Sequence, residues 1–338
     1  MERLAVTLGA IAVGVGGILL YFYAANGLLD VLLADRIASD GRLDRVYNRA
    51  RLRERIRPWL FVGPALILLT LYLIYPAIQT VILSFYDERS RLFVGLRNYQ
   101  WALEDFGFRI SIRNNLGWLL IVPFTSTALG LLIAALADRV KWESAAKSLI
   151  FMPMAISFVG ASVIWKFMYA FRPVQFPQIG TLNAIVVGLG GQPLTWYTEP
   201  PWNNLALMVI LIWIQAGFAM VLLSAAMKGV PEELVEAARI DGASEIQVFF
   251  RILLPQIVGA ITVVMTTILI AVLNTFDIVY TMTNGQFQTE VLANYMYRWM
   301  FRNFDSGRGS MIAVTIMLAV TPLLIWNIIR FRREETER

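Results

Sequence analysis

The chain encodes an all-α integral membrane protein with seven transmembrane helices. Apolar side chains make up 58% of its 338 residues and charged ones 16%, with a mean hydropathy of +0.62. Water-soluble domains sit near one half apolar and one quarter charged. Apolar runs of the roughly 20 residues needed to cross about 30 Å of hydrocarbon recur seven times, at about 4–25, 59–85, 114–137, 148–170, 203–227, 256–276 and 310–329. Histidine and cysteine are both absent. Those zeros exclude disulfides, thiolate nucleophiles, Ser-His-Asp triads and the usual zinc ligand sets.

The first run has the look of a signal peptide, but no A-x-A cleavage site closes it, so it reads as a retained helix. Ala10, Gly14 and Gly17 form a small-residue stripe on it that lets another helix come close. The segment 35–57 that follows holds eight arginines, Arg36, Arg42, Arg45, Arg49, Arg51, Arg53, Arg55 and Arg57. Basic loops stay on the cytoplasmic side, so the N-terminus is expected outside and the C-terminus inside. Alternation then puts 18 basic residues in the cytoplasm against ten outside, with Lys166 alone within a span. Trp59, Trp142, Trp165, Trp202 and Trp326 fall near the ends of runs, where an amphipathic ring suits the headgroup layer. Residues 1–57 are thus an extra N-terminal helix with a basic linker, and 58–338 carry a six-helix core.

One stretch breaks the oily pattern: KGVPEELVEAARIDGASEIQVFFRILLP, residues 228–255. Pro231 suits the first position of a helix, and Glu232 and Glu233 complement its positive end. Leu234, Ala237, Ala238 and Asp241 share one face. Gly242 is a natural stop because it tolerates positive φ. Ser244 followed three residues later by Gln247 is a capping-box pattern that starts a second helix through Phe249 and Phe250. Pro255 marks the return to the membrane. On physical grounds the first helix either docks in another protein's groove or rests on lipid.

Glu236-Ala237-Ala238, three residues, Gly242, nine residues, Ile252, one residue, then Leu254-Pro255 resembles the EAA–G–I–LP loop of permease subunits of ABC importers. The resemblance runs over roughly 59–330. PWLFVGPALILLTLYLIYPAIQTVILSFYD (58–87), Phe151-Met152-Pro153 and Gly180-Thr181-Leu182-Asn183 followed by Trp196 are similar to the carbohydrate branch. NTFDIVYTMTNG (274–285) resembles the maltose-type first permease, and YFYAANGLLD (21–30) the α-glucoside permeases. The resemblance implies a type I ABC importer core in a bacterial inner membrane. The cytoplasmic loop would be a coupling helix, with Glu236, Ala237, Ala238, Asp241 and Gly242 at the ATPase contact. The partners implied are a second permease, two ATPase subunits that bind ATP and Mg, and an extracytoplasmic sugar-binding protein. The chain has no G-x-x-x-x-G-K-[ST] phosphate loop, so it is expected to be non-catalytic, with no cofactor of its own. The cargo implied is a disaccharide or oligosaccharide such as an α-glucoside.

A sugar needs hydrogen-bonding groups and flat apolar surfaces, and polar side chains inside spans tend to face cavities or partners. Gln215, Asn274, Thr275 and Asp277 are the clearest polar cases, and Trp213, Phe218 and Phe158 offer ring surfaces. In the family that the chain resembles, spans 4, 5 and 6 line the pathway. That depth selects Gln215 and Phe218 on one span and Met154 and Phe158 on another. Interhelical hydrogen bonding and plain packing are the competing roles for these residues. Seven spans also describe a receptor, but that leaves the 236–255 pattern without a purpose; a secondary carrier is the third reading, but it calls for several ionisable residues within spans, where Asp277 is almost alone.

Overall fold

The computed structural model describes residues 2–32, 43–138, 140–273 and 275–336. Its contacts divide it into two compact units, Met1–Gln79 and Thr80–Arg338. In the first unit, α1 (Glu2–Leu32) meets α2 (Leu43–Leu69). The Tyr21 hydroxyl donates to the Leu60 carbonyl at 2.8 Å, and the Phe22 and Phe61 rings stack with centroids 5.3 Å apart. A π-helical turn, Thr70–Ile74, continues α2 into α3 (Tyr75–Leu83).

In the second unit a turn closed by the isolated antiparallel bridge Tyr86–Phe93 leads to α4 (Arg97–Glu104) and α5 (Phe106–Ala137). Asp105 caps α5 by accepting from the Phe108 N–H at 2.7 Å, one of the four donors a helix start leaves unpaired. Then come α6 (Glu143–Phe151), a 3₁₀ turn (Met152–Ala155), α7 (Phe158–Met168), α8 (Thr181–Gly188) and α9 (Trp202–Lys228). The helices α10 (Glu232–Ile240), α11 (Glu245–Val248), α12 (Leu254–Gln256) and α13 (Val258–Leu273) follow. The chain closes with α14 (Asp277–Met282), α15 (Leu292–Tyr297) and α16 (Ser306–Thr336).

The central helix is α9. Of its most apolar window 61% is buried, against 33% for α5. Its neighbours reach it through missing side chains, as helices in lipid commonly do. A Cβ on Gly130 of α5 would lie 2.4 Å from the Ala219 Cβ, and one on Gly217 would lie 2.5 Å from the Ile150 carbonyl at the end of α6. The largest buried cluster gathers Trp118, Leu207, Leu211, Ile268, Val272 and Ile278 from α5, α9, α13 and α14. Burying each such side chain is worth roughly 1.5–3 kcal/mol in water, less where the alternative is lipid.

The all-α character holds among the described residues, where fewer than the expected seven transmembrane helices stand out by length and composition. Among the described residues three helices are long and apolar enough to cross a membrane: Arg55–Leu83, Phe106–Ala137 and Trp202–Lys228. Two bent pairs raise the number to five: Glu143–Ala155 with Phe158–Met168 at 105°, and Glu245–Gln256 with Val258–Leu273 at 70°. The first bend has a local cause. Pro153 has no N–H to extend the helical ladder, and the Ser157 hydroxyl accepts from the Gly160 N–H at 3.1 Å, starting a new helix. The run at 4–25 falls on α1, where Val13–Gly27 is a shorter apolar helix, and the run at 310–329 lies within α16. Trp165 is another departure: it is buried, its ring edge-on to Trp213 at 5.8 Å, rather than an anchor at the surface.

Candidate functional site

The helix α10 is a polar helix none of whose residues is buried. Pro231 is its N-cap (φ −54, ψ 128) rather than its first residue, since its extended ψ lies outside the helix. Glu232 and Glu233 occupy the first turn and Arg239 the last, each matched to the helix dipole. Gly242 takes φ +85, a left-handed conformation that an L side chain resists. The chain restarts at a complete capping box: the Ser244 hydroxyl accepts from the Gln247 N–H and the Gln247 side chain accepts from the Ser244 N–H at 2.8 Å. Arg239 bridges the bend with a two-pronged contact to Glu245, 2.8 and 3.3 Å. The two helices are thus braced across the bend by backbone geometry, a cap and a fork. Glu236, Ala237, Asp241 and Gly242 are exposed and Ala238 half-buried, with Leu234 and Ile240 also open.

Behind this peg lies a charge cluster that the sequence reading missed. Lys147 of α6 contacts Asp138 at the end of α5, Glu143 at 2.6 Å one turn back on α6, and the buried Ser224 hydroxyl of α9. Ser224 in turn donates to Asp138 at 2.8 Å, and Lys228, at the end of α9, pairs with Glu143. A cavity of about 180 Å³ separates the cluster from the peg; Asp138, Met227 and Lys228 line one side, Val235, Arg239 and Val248 the other.

The residues singled out for a sugar pathway gather around two helix interruptions. Met154 and Phe158, both exposed, flank the 105° bend between α6 and α7. The second interruption falls between α13 and α14; there Thr275 is buried and Asp277 is the half-buried first residue of α14. Asn274 lies outside the described residues. The segments after the two breaks pack together, α14 on α7 and both on α9. On α9, Gln215 is buried while Trp213 and Phe218 pack half-buried against the main core. Gly217 puts their level of α9 beside the Ile150–Phe151 backbone, just ahead of the first break. Interrupted helices free backbone donors and acceptors, and membrane transport sites are built around them. Among the described residues no group of three or more Asp or Glu is placed to hold a metal ion.

At the opposite end of α9, about 40 Å away at 1.5 Å per residue, four asparagines hold one loop. Asn114 donates to the carbonyls of Gln288 and Glu290 at 2.7 and 2.8 Å, and Asn203 to that of Phe287 at 2.6 Å. Asn115 accepts from the Leu292 N–H at 2.8 Å, and Asn204 donates to the Gln288 carbonyl at 3.2 Å. The loop needs such a clamp: Asn284, Phe287 and Gln288 all sit at positive φ. The sequence signal was two Asn-Asn pairs at the starts of spans, 114–115 and 203–204.

Broken apolar helices packed on a central helix, with an unburied helix at one end, are an arrangement suited to a membrane-embedded transport subunit. The chain belongs to the family described as binding-protein-dependent transport system inner membrane component, whose model matches residues 126–330. It is 56% identical over 99% of its length to the alpha-glucoside transport system permease protein AglF of Rhizobium meliloti (strain 1021), covering 99% of that protein. It is 53% identical over 82% of its length to the osmoprotective compounds uptake permease protein GgtC of Synechocystis sp., covering all of it. Its fold matches a chain of a bacterial ABC transporter involved in the import of the acidic polysaccharide alginate, with a TM-score of 0.71 over 83% of this chain and 99% of that one, at 22% identity.

Proposed function

We propose that the chain is one of two permeases forming the pathway of an ATP-driven importer for α-linked disaccharides or oligosaccharides, and that α10 is the part an ATPase subunit grips. The observation that carries this reading is the peg itself: a short helix with no buried residue, ended by a glycine bend, followed by a capping box and ion-paired across the bend. Glu236, Ala237, Ala238, Asp241 and Gly242 form the gripped surface. Small Ala side chains let a groove wall approach the helix closely. Met154, Phe158, Trp213, Gln215, Phe218, Asn274, Thr275 and Asp277 line this chain's half of the pathway. ATP and Mg bind on the partner subunits, and hydrolysis occurs there.

The N-terminus lies outside and the C-terminus in the cytoplasm, with 58–338 as the transmembrane domain and 1–57 as an added helix and basic linker. The second permease covers the apolar window of Arg55–Leu83, of which no part is buried. An extracytoplasmic binding protein delivers sugar at the end held by the asparagine clamp. The substrate class is supported by the 56% identity to AglF along the whole chain. A polyol or other sugar derivative is the second reading, supported by the similarity to GgtC.

Because cysteine is absent, Ala237→Cys gives a single thiol for cross-linking in the assembled importer. The expected product joins this chain to an ATP-binding subunit. A thiol that reacts only with lipid-phase reagents, and with no protein neighbour, would refute the docking role.

A further inference from the structure

Four helices must move in concert if a push on α10 is to open or close a site near Met154 and Phe158. The direct chain connection is short: Gly229, Val230 and Pro231 alone separate α9 from α10. Displacing the peg therefore displaces the end of α9. The first break, however, lies on the neighbouring α6–α7 span, and an apolar contact between α6 and α9 can slide at little cost. Directional, charged contacts resist sliding, because breaking one leaves a partly buried charge without its partner.

The contacts at Lys147 have that character. Its side chain is 17% exposed and Asp138 20%, so both are largely withdrawn from water. One ammonium reaches three elements at once: Asp138 ends α5, Glu143 starts α6, and Ser224 lies one turn before the end of α9. Lys228 repeats the α9-to-α6 link through Glu143. The charges balance, two lysines against two carboxylates, and Ser224 completes the circuit by donating to Asp138. From Lys147, α6 runs little more than one turn to the 3₁₀ segment that holds Met154.

We propose that Lys147 is a positioning residue for transport: with Asp138, Glu143 and Ser224 it locks the α6 half-span to α5 and α9, so that movement of α10 reaches the break at Ile156–Ser157. It touches neither sugar nor ATPase. This inference rests on α10 being the docked element, and its test keeps the two apart.

The test uses the complete importer in proteoliposomes, reading sugar moved per ATP hydrolysed. Lys147→Met keeps length and packing but removes the charge. Its ratio is expected to fall about five- to tenfold, the scale of coupling changes along a packed network, while ATP hydrolysis continues. Lys147→Arg, which restores the charge, should recover most of it. Ser224→Ala removes a neutral link and leaves no stranded charge, so it decides the matter if Lys147→Met does not assemble; a fall of about two- to threefold is expected. An unchanged ratio in an assembled Lys147→Met complex, or in Ser224→Ala, overturns the proposal, as does a loss that Lys147→Arg fails to rescue. Cross-linking from Ala237→Cys in the same complexes separates the readings. Loss of that product in the otherwise wild-type importer indicts the docking of α10, whereas its retention with a lowered ratio locates the fault at Lys147.

Discussion

Two residues show how local chemistry shapes the parts that work. At Gly242 the backbone turns with φ +85, so alanine costs about 1 kcal/mol and proline, fixed near −65°, cannot adopt the bend. Gly242→Pro is expected to abolish sugar uptake while leaving the protein in the membrane at normal levels; uptake assays and membrane yield measure the two separately. Asp87, in the turn before α4, accepts from the N–H groups of Arg91 at 2.7 Å and Leu92 at 3.1 Å. Those bonds hold its carboxyl below the ordinary carboxylate value. A depressed folded value means that the turn's stabilisation is full above the ordinary value and is lost as pH falls through the lowered one. Protection of the Arg91 and Leu92 amides, measured relative to their intrinsic exchange rates at each pH, should therefore fall in acid, and Asp87→Asn should remove that change in protection.

Gly242 and the Ser244–Gln247 box were legible in the sequence because each is settled within three or four residues. Lys147 was not. Its partners lie 4, 9 and 77 positions away, and nothing in a linear reading brings α9 beside α6.

Among the elements, α9 sets the geometry, and its small residues matter more than its large ones. Valine at Gly217 would drive a branched side chain into the Ile150 carbonyl, which a Cβ alone approaches to 2.5 Å. Backbone cannot yield as a side-chain tip does, so Gly217→Val should cost at least about 1–3 kcal/mol, seen as a lower melting temperature of the detergent-purified protein. The asparagine clamp offers a second handle at the other end of α9. Asn114→Ala takes the side-chain donor from the Glu290 carbonyl and leaves that of Gln288 to Asn204 alone, at about 1–3 kcal/mol. The expected outcome is faster proteolysis confined to the loop 283–291, with the α10 region unaffected. Hydropathy found the apolar runs that fall on the three long helices and the two bent pairs, because composition over 20 residues survives a bend. It missed the 105° turn because one proline and one serine cap, Pro153 and Ser157, barely alter that average. Pro231 shows the same limit on a finer scale: its residue type marks a helix start, but its ψ of 128 decides which side of the boundary it occupies.

For the molecule as a whole, membership in the binding-protein-dependent transport family and the peg at residues 231–242 fit together. A helix that its own chain leaves unburied, at the far end of α9 from a clamped loop, suits a subunit that receives cargo at one end and work at the other. Under the proposed docking, the peg must distinguish two states of the ATPase, because equal affinity for both would shift nothing. The sequence made the family legible through fixed spacing alone, Glu236 to Pro255. It left the pathway at the level of candidate residues, because which of them share one cavity depends on how α7, α9 and α14 pack, and no spacing along the chain states that. The decisive measurement is accumulation of a labelled α-linked disaccharide in proteoliposomes carrying this chain with its second permease, its ATPase pair and its binding protein. Uptake that requires enclosed ATP and disappears in Gly242→Pro is the expected result. Accumulation by this chain alone, without ATPase or ATP, would contradict it.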